Sequence, residues 1–400
     1  MGTISRTLYF FTSAVLLALV VMFPHAAYAA TKLQVSGWIP YWRTATGTQD
    51  ALLHLNELNQ IDPFGYIVQN DGTLYDAMNI TQPSWSTLIA AAKAQKVRVI
   101  PTVMWSNGQA IDTILRNPTT RAAQENAIVA MVKQNNFDGV DIDYEGKLAQ
   151  TKPYFSLFLK ELYKKMGNKW VDCTIEARTP ASSEFAIITP QDFQYANDYS
   201  AINKYCDQVN LMTYDQGTID IKLNAVAAGP YIPVADPQWV KKVVLLAEQT
   251  ISKKKLVIGV ATYGYEFSVT SLTQGYRYDI QWAFNPRYAL ELAAQLGITP
   301  VRNGAGELSF SYVPSELPLQ TSTATSSATS TTGEVPTTTT SYSPLAVAVI
   351  GQPFNIVWWS DAQAVKDKIA LAQSLGIRGI AIFKIDGGED PNLWNILPQK

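Results

Sequence analysis

Phe137-Asp138-Gly139-Val140-Asp141-Ile142-Asp143-Tyr144-Glu145 is the stretch that decides the fold. Successive side chains of a strand point to opposite sides. Asp141, Asp143 and Glu145 therefore share one side, and Val140, Ile142 and Tyr144 share the other. The stretch is the fourth of eight β-rich runs, at 34–39, 65–69, 97–103, 139–144, 173–177, 208–213, 256–261 and 379–383. Helical apolar spacing fills several of the gaps. Residues 121–134 set Ala127, Ile128, Met131 and Val132 on one face, and 362–375 do the same with Val365, Ile369, Ala372 and Leu375. Eight alternating units predict an α/β protein built as a closed (β/α)8 TIM barrel rather than an open sheet. The outside of such a barrel is apolar where it meets the helices. The three acids must then point inward and climb toward the C-terminal mouth.

Inward positions of a barrel are normally filled by Val, Ile or Leu. Neighbouring acids there are costly in desolvation and in mutual repulsion. A solvent-facing strand edge would explain the alternation, but not a uniform acid face in the fourth unit of eight. A calcium loop would want turn residues between its ligands, not Val and Ile. Crowded carboxyls cannot all ionise, so a proton is retained near neutral pH. Glu145, last on the strand, reaches the mouth, where a protonated carboxyl is a general acid for a leaving oxygen. Asp143, one step inward, can hydrogen-bond to it and hold the proton.

The rest of the chain narrows the choices. Its 400 residues are 47% hydrophobic with a formal net charge of −2, an ordinary globular composition. No basic run suggests a nucleic-acid partner or an anionic membrane surface. Arg6, the apolar run 8–23 and Ala27-Tyr28-Ala29 predict a cleaved signal peptide over 1–29 and a secreted or cell-envelope protein. That run is shorter than a bilayer span, so no stable membrane insertion is expected after cleavage. His25 leaves with the signal, and His54 alone cannot build a His-rich zinc site or a convincing Ser-His-Asp triad. No metal and no cofactor are expected, and the protein is expected to be a monomer. Cys173 and Cys206 begin neighbouring strands. They either pair, as export permits, or remain buried thiols.

One stretch breaks the rhythm. Residues 268–357, between the seventh and eighth runs, hold far more chain than a crossover needs and predict a small α+β insertion subdomain at the barrel mouth. Within it, 321–340 is a Ser/Thr-dominated tract that cannot bury a core and reads as a disordered, solvated loop.

The ladder resembles the strand-four motif of glycoside hydrolase family 18, the chitinase family, D-x-x-D-x-D-x-E, matched by Asp138, Asp141, Asp143 and Glu145. Gly139 lies within the motif. Gly37-Trp38 is similar to the family's first strand, and Met212-Thr213-Tyr214-Asp215 to its M-x-Y-D on strand six. The resemblance runs over nearly all of the chain after the signal. It implies a substrate-assisted retaining mechanism, an exception to the two-carboxylate scheme. Glu145 would protonate the glycosidic oxygen, and the substrate's 2-acetamido oxygen would attack the anomeric carbon. Asp143 would orient the acetamido N–H with Asp141 as its proton partner, and Tyr214 would donate to the acetamido oxygen. Met212 and Asp215 would shape the pocket. The implied substrate is an N-acetylglucosamine polysaccharide, chitin or peptidoglycan, cleaved at β-1,4 bonds.

There are departures from the pattern. Strand three reads Pro101-Thr102-Val103-Met104-Trp105 where the family often has S-x-G-G, and Phe383 stands where a tryptophan usually floors the sugar pocket. Residues 63–74 and 389–391 look more like the bacterial cell-wall and spore-associated branch. Trp38, Tyr41, Trp42, Tyr263, Tyr265 and Arg178 follow strands and are candidates for substrate contact, with core packing as the alternative. The same two readings hold for Trp358 and Trp359. A chitinase-like lectin without activity is the competing function, against which the retained Glu145 argues. A barrel enzyme using the acids as Mg²⁺ ligands is the other.

Overall fold

The computed structural model describes residues 32–187, 195–314, 351–398 and 400. The expected signal peptide, 1–29, and the Ser/Thr tract, 321–340, lie outside the described residues. Seven main barrel strands come first: β1 (Gln34–Pro40), β2 (Gln60–Val68), β3 (Thr102–Trp105), β4 (Gly139–Tyr144), β5 (Trp170–Glu176), β6 (Gln208–Met212) and β7 (Leu256–Ala261), with a short strand, Leu74–Asp76, antiparallel on β2. The insertion supplies β8 (Gly264–Ser271), β9 (Tyr276–Phe284), β10 (Val301–Arg302), β11 (Leu308–Tyr312) and β12 (Phe354–Trp359). Last comes β13 (Gly379–Phe383). Strands β1 to β7 pair in parallel, each with the next, and β13 closes the ring between β7 and β1. This is the (β/α)8 barrel that the alternation predicts.

Two strands begin earlier than their sequence suggests. β2 starts at Gln60, not at residue 65, because Pro63 sits inside it. Proline withholds an amide from the ladder and reads as a breaker. Pro101 likewise divides the third barrel strand into Arg98–Val99 and Thr102–Trp105, each paired with β2. β5 starts at Trp170, before the polar Asp172.

The outer face of the barrel is the main core. Val140, Ile142 and Tyr144 are fully buried. The Tyr144 ring stacks on Phe158 of helix α1 (Lys152–Met166), centroids 5.4 Å apart, and Trp105 meets it edge-on at 5.5 Å. That helix buries Phe155, Phe158, Leu159, Leu162 and Met166, a stripe at three- and four-residue spacing. Two later helices show how the chain punctuates itself. Helix α2 (Pro237–Ala247) opens with Pro237 at its first position, after Asp236 caps the Gln238 amide at 2.7 Å. Helix α3 (Ala362–Leu375) is capped by Asp361 on the Ala364 amide at 3.0 Å and stopped by Gly376 at φ 65°.

The insertion is α+β as expected: an antiparallel sheet in the order β9-β8-β12-β11-β10, with a helix, Pro286–Leu296, between β9 and β10. It reaches from Gly264 to Trp359, wider than the expected 268–357, because β8 starts only three residues after β7 ends. Its anchor is Glu307, wholly buried in the turn before β11. The carboxylate accepts from the amides of Val234 and Ala235, both at 2.9 Å, and from the Trp358 indole at 2.6 Å. Buried Lys368 of α3 lies 3.6 Å away. A buried charge held by three donors and a counterion ties the sheet to the chain leading into α2 and to α3.

Cys173, midway along β5, and Cys206, just before β6, are joined as a disulfide with Cα atoms 5.9 Å apart. Both are fully buried on the outer side of the barrel. Closing a loop with a sequence separation of 33 is worth about 3–4 kcal/mol on the chain-entropy model. The double variant Cys173→Ala/Cys206→Ala should lose about that much stability in denaturant titrations while keeping its wild-type circular dichroism. Two free thiols in the unfolded, unreduced protein would show that the bond is absent.

Candidate active site

The interior of the barrel is largely polar. Its floor begins with Arg98, whose Nε donates to Gln60 Oε1 at 3.1 Å. The Gln60 amide donates to both Asp62 Oδ1 and Asp172 Oδ2, each at 2.7 Å. A second chain runs from Gln34 to Gln208 (2.7 Å), from Gln208 to Asn210 (3.0 Å) and from Asn210 to the Thr174 hydroxyl (3.2 Å). Thr174 passes it on, donating to Asp141 Oδ1 at 2.8 Å. Apart from Arg98 and Gln34, which are only partly buried, these groups are buried, so their hydrogen bonds are made where water cannot replace them.

Asp141 sits at the junction. Its Oδ2 accepts from the Trp38 indole at 3.1 Å and from Thr102 at 2.9 Å, in addition to the Thr174 bond at Oδ1. Burial raises its pKa, and these three donors oppose the rise. Asp143 is almost as buried, yet its Oδ1 has no hydrogen-bond partner within the protein. Burial pushes its pKa well above the usual range, and the charges of Glu145, Asp141 and Glu176 push it further, against Lys147. Glu145 follows the end of β4, its amide held by the Trp105 carbonyl at 2.8 Å. Burial, then Glu176 and Asp215, raise its pKa to about 7, with Lys147 opposing. The first two motif positions hold the strand in place. Asp138 accepts from the Val99 amide at 2.8 Å. Gly139 lets β5 approach, since a Cβ there would lie 2.4 Å from the Trp170 carbonyl oxygen.

Tyr214 arrives from beyond β6, and Gly259 of β7 makes its room: a Cβ would come within 2.6 Å of the tyrosine ring. The ring stacks on Phe383 at 5.3 Å. Phe383 packs with Trp38, Phe64 and Met104 in a separate apolar cluster inside the barrel. Asp215 adopts φ 55° and accepts from the hydroxyls of Tyr263 (2.6 Å) and Tyr265 (2.8 Å). Met212 ends β6, in register with Glu176. A cavity of about 520 Å³ opens here, lined by Trp42, Asp215, Tyr263, Tyr265, Phe383 and Lys384 among others.

Three expected contacts fall elsewhere. Trp38 is 1% exposed, beneath the floor, with its N–H spent on Asp141. Tyr41 packs against the core in the turn after β1, and it is Trp42, 49% exposed, that lines the cavity. Arg178 lies between the rings of Tyr195 and Tyr199, at 3.7 and 4.1 Å, and donates to the Asn197 carbonyl at 2.8 Å. It lines a different cavity, because two aromatic faces and a carbonyl already satisfy its guanidinium.

Asp62, Asp172, Lys147 and Glu176 were not singled out from sequence. Asp172, Thr174 and Glu176 repeat the every-second-residue pattern of the ladder one strand later, which is the signal that could have found them. Among the described residues, no group of three or more His, Cys, Asp or Glu is arranged to hold a metal ion.

A mostly parallel barrel with an acid at the end of its fourth strand and a tyrosine beyond its sixth defines a class of glycoside-cleaving enzyme. A family model for glycosyl hydrolases family 18 matches residues 38–388, and the chain belongs to that family. It is 21% identical over 292 residues to the glycosylase YvbX of Bacillus subtilis, covering 73% of this chain and 69% of that one. It is 24% identical to the probable chitinase 2 of Drosophila melanogaster, spanning about half (54%) of that relative. The spore cortex-lytic enzyme SleL of Bacillus megaterium shares the fold, with a TM-score of 0.66 at 20% identity, over 91% of this chain and 73% of that one. So does the C-terminal domain of a putative chitinase from Desulfitobacterium hafniense, with a TM-score of 0.68 at 19% identity, over 92% and 99%.

The buried floor makes stability depend on pH. Burial, then the charge of Asp141, raise the Asp172 pKa to about 7. A carboxyl that holds its proton more tightly when folded stabilises the fold fully below the ordinary carboxyl range, and that contribution is lost as pH rises through about 7. Wild-type unfolding free energy should therefore decline over that interval by a few kcal/mol, since each tenfold gain in proton affinity on folding is worth about 1.4 kcal/mol. Asp172→Asn should flatten the decline in urea titrations across pH; an undiminished slope would exclude Asp172 as its source.

Proposed function

We propose that the protein is a secreted, monomeric glycosidase that cleaves β-1,4 bonds next to N-acetylglucosamine by substrate-assisted retaining catalysis. The observation that carries this reading is the unequal satisfaction of the three acids. Asp141 is fully engaged by protein donors, whereas buried Asp143 keeps an oxygen with none, and Glu145 keeps its proton to about 7. A buried carboxyl oxygen without a partner is a costly feature that a substrate N–H would relieve.

The chemistry follows from that arrangement. Glu145 gives its proton to the glycosidic oxygen as the bond to C1 breaks. The carbonyl oxygen of the sugar's 2-acetamido group closes on C1 from the opposite face, giving a cyclic oxazolinium. Asp143 passes its proton down to Asp141, its proton partner, and so becomes the carboxylate that accepts the acetamido N–H and balances the positive charge that develops there, and the Tyr214 hydroxyl donates to the acetamido oxygen. Glu145, now ionised, takes a proton from the water that reopens the ring, and configuration at C1 is retained. Phe383, with Trp42 and Tyr263, offers apolar faces for the sugar rings. Chitin and peptidoglycan glycan strands both carry the required group. Similarity to spore cortex-lytic enzymes supports the second, and similarity to a probable chitinase supports the first.

Glu145→Gln should abolish reducing-end release from chitin oligomers and peptidoglycan while binding persists. More than about a tenth of wild-type kcat, a loss under about 1.4 kcal/mol, would remove Glu145 as the acid. Wild-type kcat/KM should fall as pH rises through about 7, where Glu145 loses its proton. Oligomers of β-1,4-glucose, which lack the acetamido group, should not be turned over. Comparable rates on them would overturn the mechanism.

A further inference from the structure

Beyond Glu145 the chain makes a turn whose construction points to a second layer of the site. Gly146 takes φ 62°, a left-handed conformation. Its amide donates to Glu176 Oε1 at 2.9 Å, and Glu176 Oε2 accepts from the Asn197 side chain at 2.7 Å. Lys147 then folds back. Its side chain is 1% exposed, its Nζ lies 3.5 Å from Glu176 Oε2, and the same ammonium sits over the Phe155 ring at 4.9 Å. Asn197 is itself held in place through its carbonyl, by Arg178. A buried lysine needs a reason, since burying an ammonium is unfavourable unless it is paired. Here the pairing is with a carboxylate at the mouth end of the neighbouring strand, beside the acid.

We propose that Lys147 and Glu176 are positioning residues for Glu145. Glu176 ties down the turn directly after the acid, and the two opposite charges together govern how far pH can rise before Glu145 gives up its proton. This rests on the reading of Glu145 as the acid. The groups facing Glu145 are Asp143 from β4, Lys147 from the turn after it, Glu176 from β5, and Tyr214 and Asp215 from the segment after β6. Lys147 is the cation among them. Glu176, whose side chain is 39% exposed, is held below the usual carboxylate range: its partial burial works against this, but Lys147, Asn197 and the Gly146 amide outweigh it. It therefore stays a fixed negative charge while Glu145 titrates. An ion pair of this kind gives two adjustments of opposite sign, and that is what a merely structural role would not produce.

The test is a carboxyl ¹³C titration of Glu145 in the full chain, assigned with Glu145→Gln, beside the pH profile of kcat/KM. Glu176→Gln keeps an acceptor for the Gly146 amide but loses the charge, and should lower the Glu145 midpoint by about one pH unit. Lys147→Met keeps the contact with Phe155 and should raise it by about one pH unit. Glu176→Asp, which keeps the charge, should leave the midpoint near that of the wild type. The alkaline limb of kcat/KM should move with each midpoint. Midpoints that stay put, or that move in the same direction in Glu176→Gln and Lys147→Met, overturn the proposal. If Glu176→Gln does not fold, the sign of the Lys147→Met change decides alone. If the midpoints move as expected and the rate profile does not follow, the pair stands and the role of Glu145 as the acid falls.

Discussion

Everything at the mouth of this barrel depends on how one carboxylate is held. Asp141 accepts from Trp38 on β1, Thr102 on β3 and Thr174 on β5, so three strands other than its own converge on its two oxygens. A carboxylate in a dry interior is tolerated when its lone pairs are filled, and charge-assisted hydrogen bonds to it are short and strong. Those bonds are also directional. They fix Asp141 as the base of a column whose next members, Asp143 and Glu145, stand above it without such donors. The column is dry and fully bonded at the bottom and reactive at the top.

The gradient explains why one strand can carry acids in three states. Asp141 is braced by donors. Asp143, by burial and then by charge from both neighbours in the ladder and from Glu176, holds its proton well above the ordinary range. Glu145 is raised by burial and by Glu176 and Asp215, is relieved in part by Lys147, and comes to about 7. Environment, not residue type, assigns the roles.

The ladder, the barrel and the insertion are legible in the sequence because each rests on a short-range pattern: alternation within a strand, helical spacing between strands, and a crossover too long to be one. Register and orientation are not legible. Trp38 reads as a sugar platform and is instead a donor beneath the floor, since a sequence does not reveal whether an aromatic at the end of a strand faces up or in. Of Tyr41 and Trp42, one residue apart on a tight turn, only Trp42 lines the cavity, for the same reason. Arg178 follows the right strand, but its side chain is claimed by Tyr195 and Tyr199. Pro63 hides the start of β2, and with it Gln60 and Asp62, because a proline inside a strand imitates its boundary. The Cys173–Cys206 pair is undecided from sequence, since only the outward placement of both residues brings their sulfurs together.

The hydroxyls that hold Asp215 belong to Tyr263 and Tyr265, and Tyr265 is already part of β8, the strand that begins the insertion. Domain exchange between relatives usually treats such an insertion as a cassette, to be cut at its two junctions and replaced. Here the first junction runs through the site itself. A graft that preserved every barrel residue up to Ala261 and substituted a foreign sheet would remove both hydroxyls and leave Asp215 unrestrained. The portable unit is therefore larger than the subdomain. It includes the tyrosine pair, and at the other end Glu307, with the Val234–Ala235 amides and the Lys368 ammonium that its carboxylate requires.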